Sequence, residues 1–248
     1  MVQKKNTKDC YILKDKNNIL QGFLYLKLED ENEKYHDIKP LLPPKKRLKI
    51  GTFKVAKHGF KPGERFLKIA LKNAESYKVD EIYVTMHSRH KDLKQFLEKW
   101  GFKYWGLKDY NKEHVYIKDM KKYEPSLSVK QNFPVKKPNR SRYILPIEPQ
   151  YHTDLFPDSI LSNEEAHLYD KELSHRYALQ KNYVTGAFKF ENISAGDFVF
   201  IYRKGDREPK KYSGCLTTVC VLNKIIKPKT LKEFLVASRI EQYLKKKI

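Results

Sequence analysis

The sequence predicts an α/β domain followed by a smaller, β-rich one, and three observations carry that prediction. Residues 48–102 read as strand, glycine-bearing turn, helix, strand and helix. A strand–helix–strand of this length implies parallel strands joined by a crossover helix. Within it, Phe66, Ile69, Ala70, Ala74 and Tyr77 recur near the spacing of one buried helix face. The β-branched and aromatic run Ile82, Tyr83, Val84, Thr85 follows as the second strand. Beyond residue 140 the pattern changes to short apolar strands around polar turns.

At 248 residues with 40% hydrophobic content, one large domain or two small ones have enough apolar material for packed cores. No run of about 18 apolar residues occurs, so no membrane span is expected. The N-terminal MVQKKNTKDC lacks the apolar core of a signal peptide. Cys10, Cys215 and Cys220 have neither disulfide-framework nor zinc spacing. A cytoplasmic protein without a metal site is the expectation. The net charge is +21, divided as +12 over residues 1–124 and +9 over the remainder. Such a surface attracts polyanions through counterion release. A lysine-biased composition produces the same excess, so nucleic acid and plain lysine bias stand side by side.

Gly59 and Gly63 bracket Phe60, Lys61 and Pro62 where the first helix begins. Backbone amides at a helix N-terminus attract phosphate oxygens, and His58, Lys61 and Arg65 add positive charge. This strand–loop–helix–strand–helix order, closed by the Gly-Phe pair at 101–102, resembles motifs A and B of the GNAT acyl-CoA N-acetyltransferases. In that resemblance His58 takes the loop's Gln/Arg place, Lys61 the first glycine place and Gly63 the second. The resemblance implies acetyl-CoA as cosubstrate, held at the loop by His58, Gly59, Lys61, Gly63, Glu64 and Arg65. It also implies that Phe53, Lys54 and Val55 line the pantetheine arm through backbone groups. His90 falls where the family places a cofactor-contacting Asn. The family's usual thiolate-protonating Tyr position holds Leu97, which has no proton to give; Tyr104 is the substitute donor. His87, at the end of the second strand, is the candidate base, with a surface histidine as the alternative and Glu81 as a weaker one.

Taken in order, residues 10–14 and 19–28 read as two strands around Asp15–Asn18. Residues 29–47, charged and then proline-rich, read as an exposed connection. The family begins with a strand and two helices that cover the acceptor site. Only about nine residues precede the first strand here, so the expected fold is a GNAT-like mixed sheet lacking those helices. Either a shortened gene, a fragment or a second subunit completing the site accounts for this. Residues 104–106 and 114–120 suggest two antiparallel strands closing the domain. Residues 121–139 hold three prolines without apolar periodicity and read as a linker. The expected division is therefore 1–124, a linker at 125–139, and 140–248.

In the last segment, strands are expected at 141–147, 198–202 and 214–226, with a Gly196-Asp197 turn and helices at 163–179 and 230–245. This order resembles the PUA-like β-barrels, including the ASCH group, many of which bind RNA. The resemblance implies an aromatic–basic RNA surface from Arg140, Arg142, Tyr143, Tyr151, His152, Tyr202, Arg203 and Lys204. Barrel-core tyrosines with a solvated basic rim are the equal alternative.

Two functions follow. One is an acetyl-CoA-dependent N-acetyltransferase with an attached RNA-binding domain, its acceptor an RNA-borne amine such as an aminoacyl-tRNA. The other is a non-catalytic nucleic-acid-binding or regulatory protein that keeps the GNAT scaffold.

Overall fold

The computed structural model describes residues 8–14, 17–56, 62–109, 112–161, 177–185, 192–206, 208 and 213–238. The chain forms two compact units, Met1–Lys136 and Lys137–Ile248. No helix among the described residues is long and apolar enough to cross a membrane.

The first unit is built on a seven-stranded mixed sheet. Its strands are β1 (Lys8–Lys14), β2 (Leu20–Glu29), β3 (Ile38–Lys39), β4 (Arg47–Val55), β5 (Glu81–Met86), β6 (Lys103–Lys108) and β7 (Glu113–Asp119). Their spatial order is β1-β2-β4-β5-β7-β6-β3. Only β4 and β5 run parallel, as the crossover through helix α1 (Pro62–Ser76) requires. Helix α2 (Lys91–Lys99) links β5 to β6. The buried stripe of α1 is Phe66, Leu67, Ala70, Leu71 and Ala74. Ile69, expected in that stripe, is only half-buried, and Tyr77 lies past the helix end.

One face of the sheet is apolar and carries both helices. Leu48 and Ile50 of β4 align with Ile82 and Val84 of β5, and all four are buried. The other face is polar on β2 and β4. There Lys27 pairs with Lys49, and Glu29 with Arg47.

The stretch 29–47, expected to be exposed, instead covers this second face. Tyr35, Ile38 and Leu42 are buried against Tyr83, Val115 and Ile117. Ile38–Lys39 adds an edge strand beside Leu107–Lys108. The contact is close: a Cβ on Gly106 would lie 2.0 Å from the Lys39 carbonyl oxygen. Three scattered apolar residues among prolines have no period to read, yet they suffice to fill a sheet face.

The Gly-Phe after α2 has a local cause. Gly101 sits at φ +84° just beyond the helix, in the left-handed region that glycine favours there. The amides of Gly101 and Phe102 then reach back to the carbonyls of Glu98 and Leu97. Phe102 is driven into the core.

Residues 121–139 differ from the expected linker. Ser128 and Gln131 form a capping box on a short helix, α3 (Val129–Asn132). Buried Asn132 accepts from the Glu124 amide and donates to the Glu124 and Leu127 carbonyls. The Lys118 ammonium donates to the carbonyls of Trp100 (2.8 Å) and Gln131 (2.6 Å), while burial pushes its pKa down to about 8. Phe133 meets Trp100 edge-on. The break between units therefore falls after Lys136.

In the second unit, β8 (Arg142–Ile147), β9 (Phe198–Arg203) and β10 (Cys215–Val221) form a sheet of order β10-β9-β8. β8 runs parallel to β9, and β10 antiparallel. Ile147, Phe156 and Ile201 make its core together with helix α4 (Pro149–Leu155). Among the described residues this sheet is open, not a closed barrel. The expected strand 214–226 ends at Val221. Helix α5 spans Leu231–Ser238; residues 239–245 of the expected helix 230–245, and residues 163–176 of the expected helix 163–179, lie outside the described residues.

Gly101→Ala tests how far the site depends on this frame. Its Cβ would fall 2.0 Å from the Gln131 carbonyl oxygen, on top of the positive φ. The substitution is expected to cost about 2–4 kcal/mol, read as a lowered denaturant midpoint.

Candidate functional site

The site begins where two neighbouring strands stop pairing. β4 matches β5 from Arg47↔Glu81 to Ile50↔Val84. Beyond that point β4 continues to Val55 on β2 alone, while Thr85 and Met86 pair only with β7 among the described residues. A bulge lies at the parting: Leu26 pairs Ile50 and Tyr25 pairs Thr52, leaving Gly51 over. A Cβ on Gly51 would come within 2.6 Å of the Tyr25 ring, so a residue without one suits the bulge.

The fork presents backbone donors. Ala56 donates to the Gln21 carbonyl on the β2 side at 2.8 Å. Alternate residues of a strand bond toward opposite edges. Phe53 and Val55 therefore aim their amides at the edge that β5 has left, without a strand partner there among the described residues.

Phe53 holds the fork. Its ring packs on Phe66 of α1 (centroids 6.0 Å) and Phe96 of α2 (6.1 Å). Gly63 lies at the start of α1, and a Cβ there would meet Phe96 at 3.6 Å and Phe53 at 3.9 Å, ordinary contacts. Glu64 and Arg65 are half-buried in the same first turn, and Lys54 is exposed. His58, Gly59 and Lys61, the remaining loop positions of the expected cofactor set, lie outside the described residues.

His87 follows β5 at the open end of the fork, 3.6 Å from the Glu113 carboxylate. His90 is the exposed residue preceding α2, with its ring 6.5 Å from that of His87. Tyr104 stands elsewhere. It lies on β6 with β7 between it and β5, a separation of two strand spacings or about 10 Å. There it is half-exposed against His114 and Tyr116. Leu97 is buried in the core.

On the polar face, at the root of the fork, is a cavity of about 200 Å³. Lys49 and Thr85 line it from the two strands, with Tyr83, Tyr35 and Glu29 below. The Glu29 side chain is 2% exposed, and its carboxylate accepts the hydroxyls of Tyr83 (2.7 Å) and Tyr35 (2.9 Å). The Lys27 ammonium lies 3.0 Å from it. Burial first, then the Glu29 charge, pushes both phenols well above the usual tyrosine range. None of Glu29, Tyr35, Lys49 or Thr85 stood out in the sequence. The available signal was period two along β2 and β4, which puts Lys27, Glu29, Arg47 and Lys49 on one face.

Of the expected aromatic–basic surface in the second unit, His152 and Arg203 are interior. His152 is fully buried with Nε2 2.7 Å from the Thr217 hydroxyl. Arg203 is buried with its guanidinium on the Asp206 carboxylate at 2.6 Å. Arg140 is tied to the buried Asp197 carboxylate at 3.0 Å beside the Gly196 turn. The Tyr143 hydroxyl donates to the Asn192 carbonyl, and the Tyr202 ring is half-buried beside Gly214. Arg142, Tyr151 and Lys204 are exposed, with Lys204 on the Glu148 carboxylate at 2.6 Å.

No protein-family model matches the chain, and no curated protein matches it. Solved structures do. A GNAT-family acetyltransferase from Listeria monocytogenes is 18% identical at TM-score 0.35, over 45% of this chain and 64% of that one. Nourseothricin acetyltransferase is 13% identical at TM-score 0.35, over 47% and 66%. The PaiA N-acetyltransferase from Thermoplasma acidophilum, solved with coenzyme A, is 18% identical at TM-score 0.34, over 45% and 61%. The chain thus spans a little under two thirds of the length of each.

The phenols give a pH test. Tyr83 keeps its proton in the folded state above the ordinary pKa of about 10, so the folded chain binds more protons there than the unfolded one. Its stabilising effect is complete below pH 10 and is lost as pH rises further. Unfolding free energies from denaturant titration should fall above pH 10 by up to about 1.4 kcal/mol per pH unit for this group. Tyr83→Phe should fall less steeply over the same range.

Proposed function

We propose that the first unit is an acetyl-CoA-dependent N-acetyltransferase domain of the GNAT type. The observation that carries the reading is the fork between β4 and β5, with the Phe53 and Val55 amides facing its open side. An extended pantetheine arm has alternating amide groups and needs a strand edge to pair with. A thioester carbonyl needs a donor aimed at the negative charge that develops on it. A β4 edge abandoned by its neighbour supplies both. The neutral acceptor amine then attacks the carbonyl carbon while the thiolate leaves. Tyr104, about 10 Å from β5, is not needed in this scheme, because solvent at the open fork can protonate the thiolate.

Attraction of polyanions is supported by the net charge of +21. It is also supported by Arg142, Tyr151 and Lys204 on the surface of the second unit. RNA selectivity through His152 and Arg203 loses its support, because both are buried.

Titration calorimetry tests the fork. The intact protein should bind acetyl-CoA at a Kd of about 1 μM to 1 mM, the usual range for enzyme substrates. Val55→Pro removes one cleft-facing amide without breaking a bond to β2. It should weaken binding at least about tenfold, equivalent to about 1.4 kcal/mol, with an unchanged circular dichroism spectrum. Unaltered affinity in that variant, or no binding by the wild type, would refute the reading.

A further inference from the structure

We propose that the cavity on the polar face takes the acceptor, and that this acceptor is a small primary amine bearing an anionic group, such as a free amino acid. The inference rests on the acetyl-transfer reading above and adds the substrate class.

Position comes first. The helices α1 and α2 occupy the face of the sheet to which Phe53 points. The cavity lies on the other face, and two of its lining residues bracket the fork: Lys49 one residue before the last β4–β5 pair, Thr85 one residue after it. A thioester laid along the β4 edge is thus reachable from the cavity, with the helices on the far side.

Size and charge select the class. About 200 Å³ is six or seven water volumes, the scale of an amino acid and smaller than a drug-sized ligand site. Glu29 is a carboxylate withdrawn from solvent, and the Lys27 ammonium beside it shows that it can take a cationic amine. Lys34 and Lys49 also line the cavity, and neither has a carboxylate partner among the described residues. Lys49 lies instead over the Tyr83 ring, 5.6 Å from its centroid. The other lining carboxylates, Glu33 and Asp37, are paired with Lys27 and Lys108, so Lys34 and Lys49 are the positive groups left over beside buried Glu29, and such a lining complements a molecule carrying both signs.

The chemistry balances. The acceptor enters as an ammonium, gives one proton to the Glu29 carboxylate and attacks as the free amine. The nitrogen–carbon bond forms as the carbon–sulfur bond of the thioester breaks. The second nitrogen proton is released to solvent, solvent protonates the departing thiolate, and the proton on Glu29 returns to solvent. Tyr83, its phenol held neutral and donating to Glu29, orients that carboxylate.

The test presents the intact protein with acetyl-CoA and, singly, each of the twenty free L-amino acids, their amides, and n-butylamine. Thiol release and mass spectrometry read transfer. At least one free amino acid should be acetylated with kcat/KM tenfold or more above its amide and above n-butylamine. Lys49→Met should raise KM for that amino acid and abolish the preference over the amide. Glu29→Gln should lower kcat/KM about a hundredfold and leave the calorimetric Kd for acetyl-CoA within twofold, which also shows that the variant is folded. Tyr83→Phe, smaller in its perturbation, should lower kcat with acetyl-CoA binding intact. If the wild type binds acetyl-CoA but favours no amino acid over n-butylamine, or if Glu29→Gln transfers normally, the proposal is overturned. If acetyl-CoA itself does not bind, the acetyl-transfer reading fails, and this proposal with it.

Discussion

Everything proposed for this chain depends on the parting of β4 from β5, and Phe53 maintains it. Parallel strands with matched β-branched residues would otherwise continue to pair. Phe53 lies between Phe66 and Phe96, so the strand segment after Gly51 is committed to the two helices instead of to its former neighbour. Each aromatic contact contributes about 0.5–1.5 kcal/mol beyond its buried area. Together they compare with the few ladder bonds given up at Gly51–Val55. The same rings border the start of α1, where a Cβ on Gly63 would come into ordinary contact with both.

The opposite face works by different physics. Arg47 is wholly buried, with Nε on the Glu81 carboxylate at 2.8 Å and its guanidinium over the Tyr35 ring. Both of its terminal nitrogens lack a hydrogen-bond partner among the described residues. A buried charge so incompletely satisfied adds little net stability, and losing its partner would be costly. Its effect is to hold Tyr35 and the 29–47 segment in one place over the sheet. That segment floors the cavity, so the polar cluster and the acceptor pocket are one construction. Hydrophobic packing could close this face more cheaply, but it would leave no charged lining.

Period and glycine made the frame legible. The βαβ unit, the two helices, the antiparallel pair after Gly101-Phe102 and the second-unit strands all follow from apolar spacing and turn residues. What escaped was of two kinds. The Ser128–Gln131 capping box was readable, but three prolines nearby suggested an unstructured linker. The covering role of Tyr35, Ile38 and Leu42 had no periodic signature, since tertiary contact alone decides it. The distance of Tyr104 from the fork, and the inward turn of His152 and Arg203, were hidden for a related reason. Residue type and order in the chain do not say which strand intervenes between a tyrosine and the fork, or whether an arginine such as Arg203 turns inward to meet Asp206.

The single extra residue in β4 connects these two faces. Side chains alternate along a strand, so Leu48 and Ile50 on the helix side would be followed by Thr52, with Phe53 turned to the polar side. The bulge at Gly51 shifts the alternation by one. Phe53 then joins Ile50 on the apolar face, and Lys49 stays with Glu29 and Tyr83 on the other. One inserted residue thereby separates the strands, places the aromatic ring among the helices and aims the amides of Phe53 and Val55 into the gap. Were Gly51 kept but paired regularly with Tyr25, Phe53 would face the polar side and the amides of Phe53 and Val55 would point back toward β2.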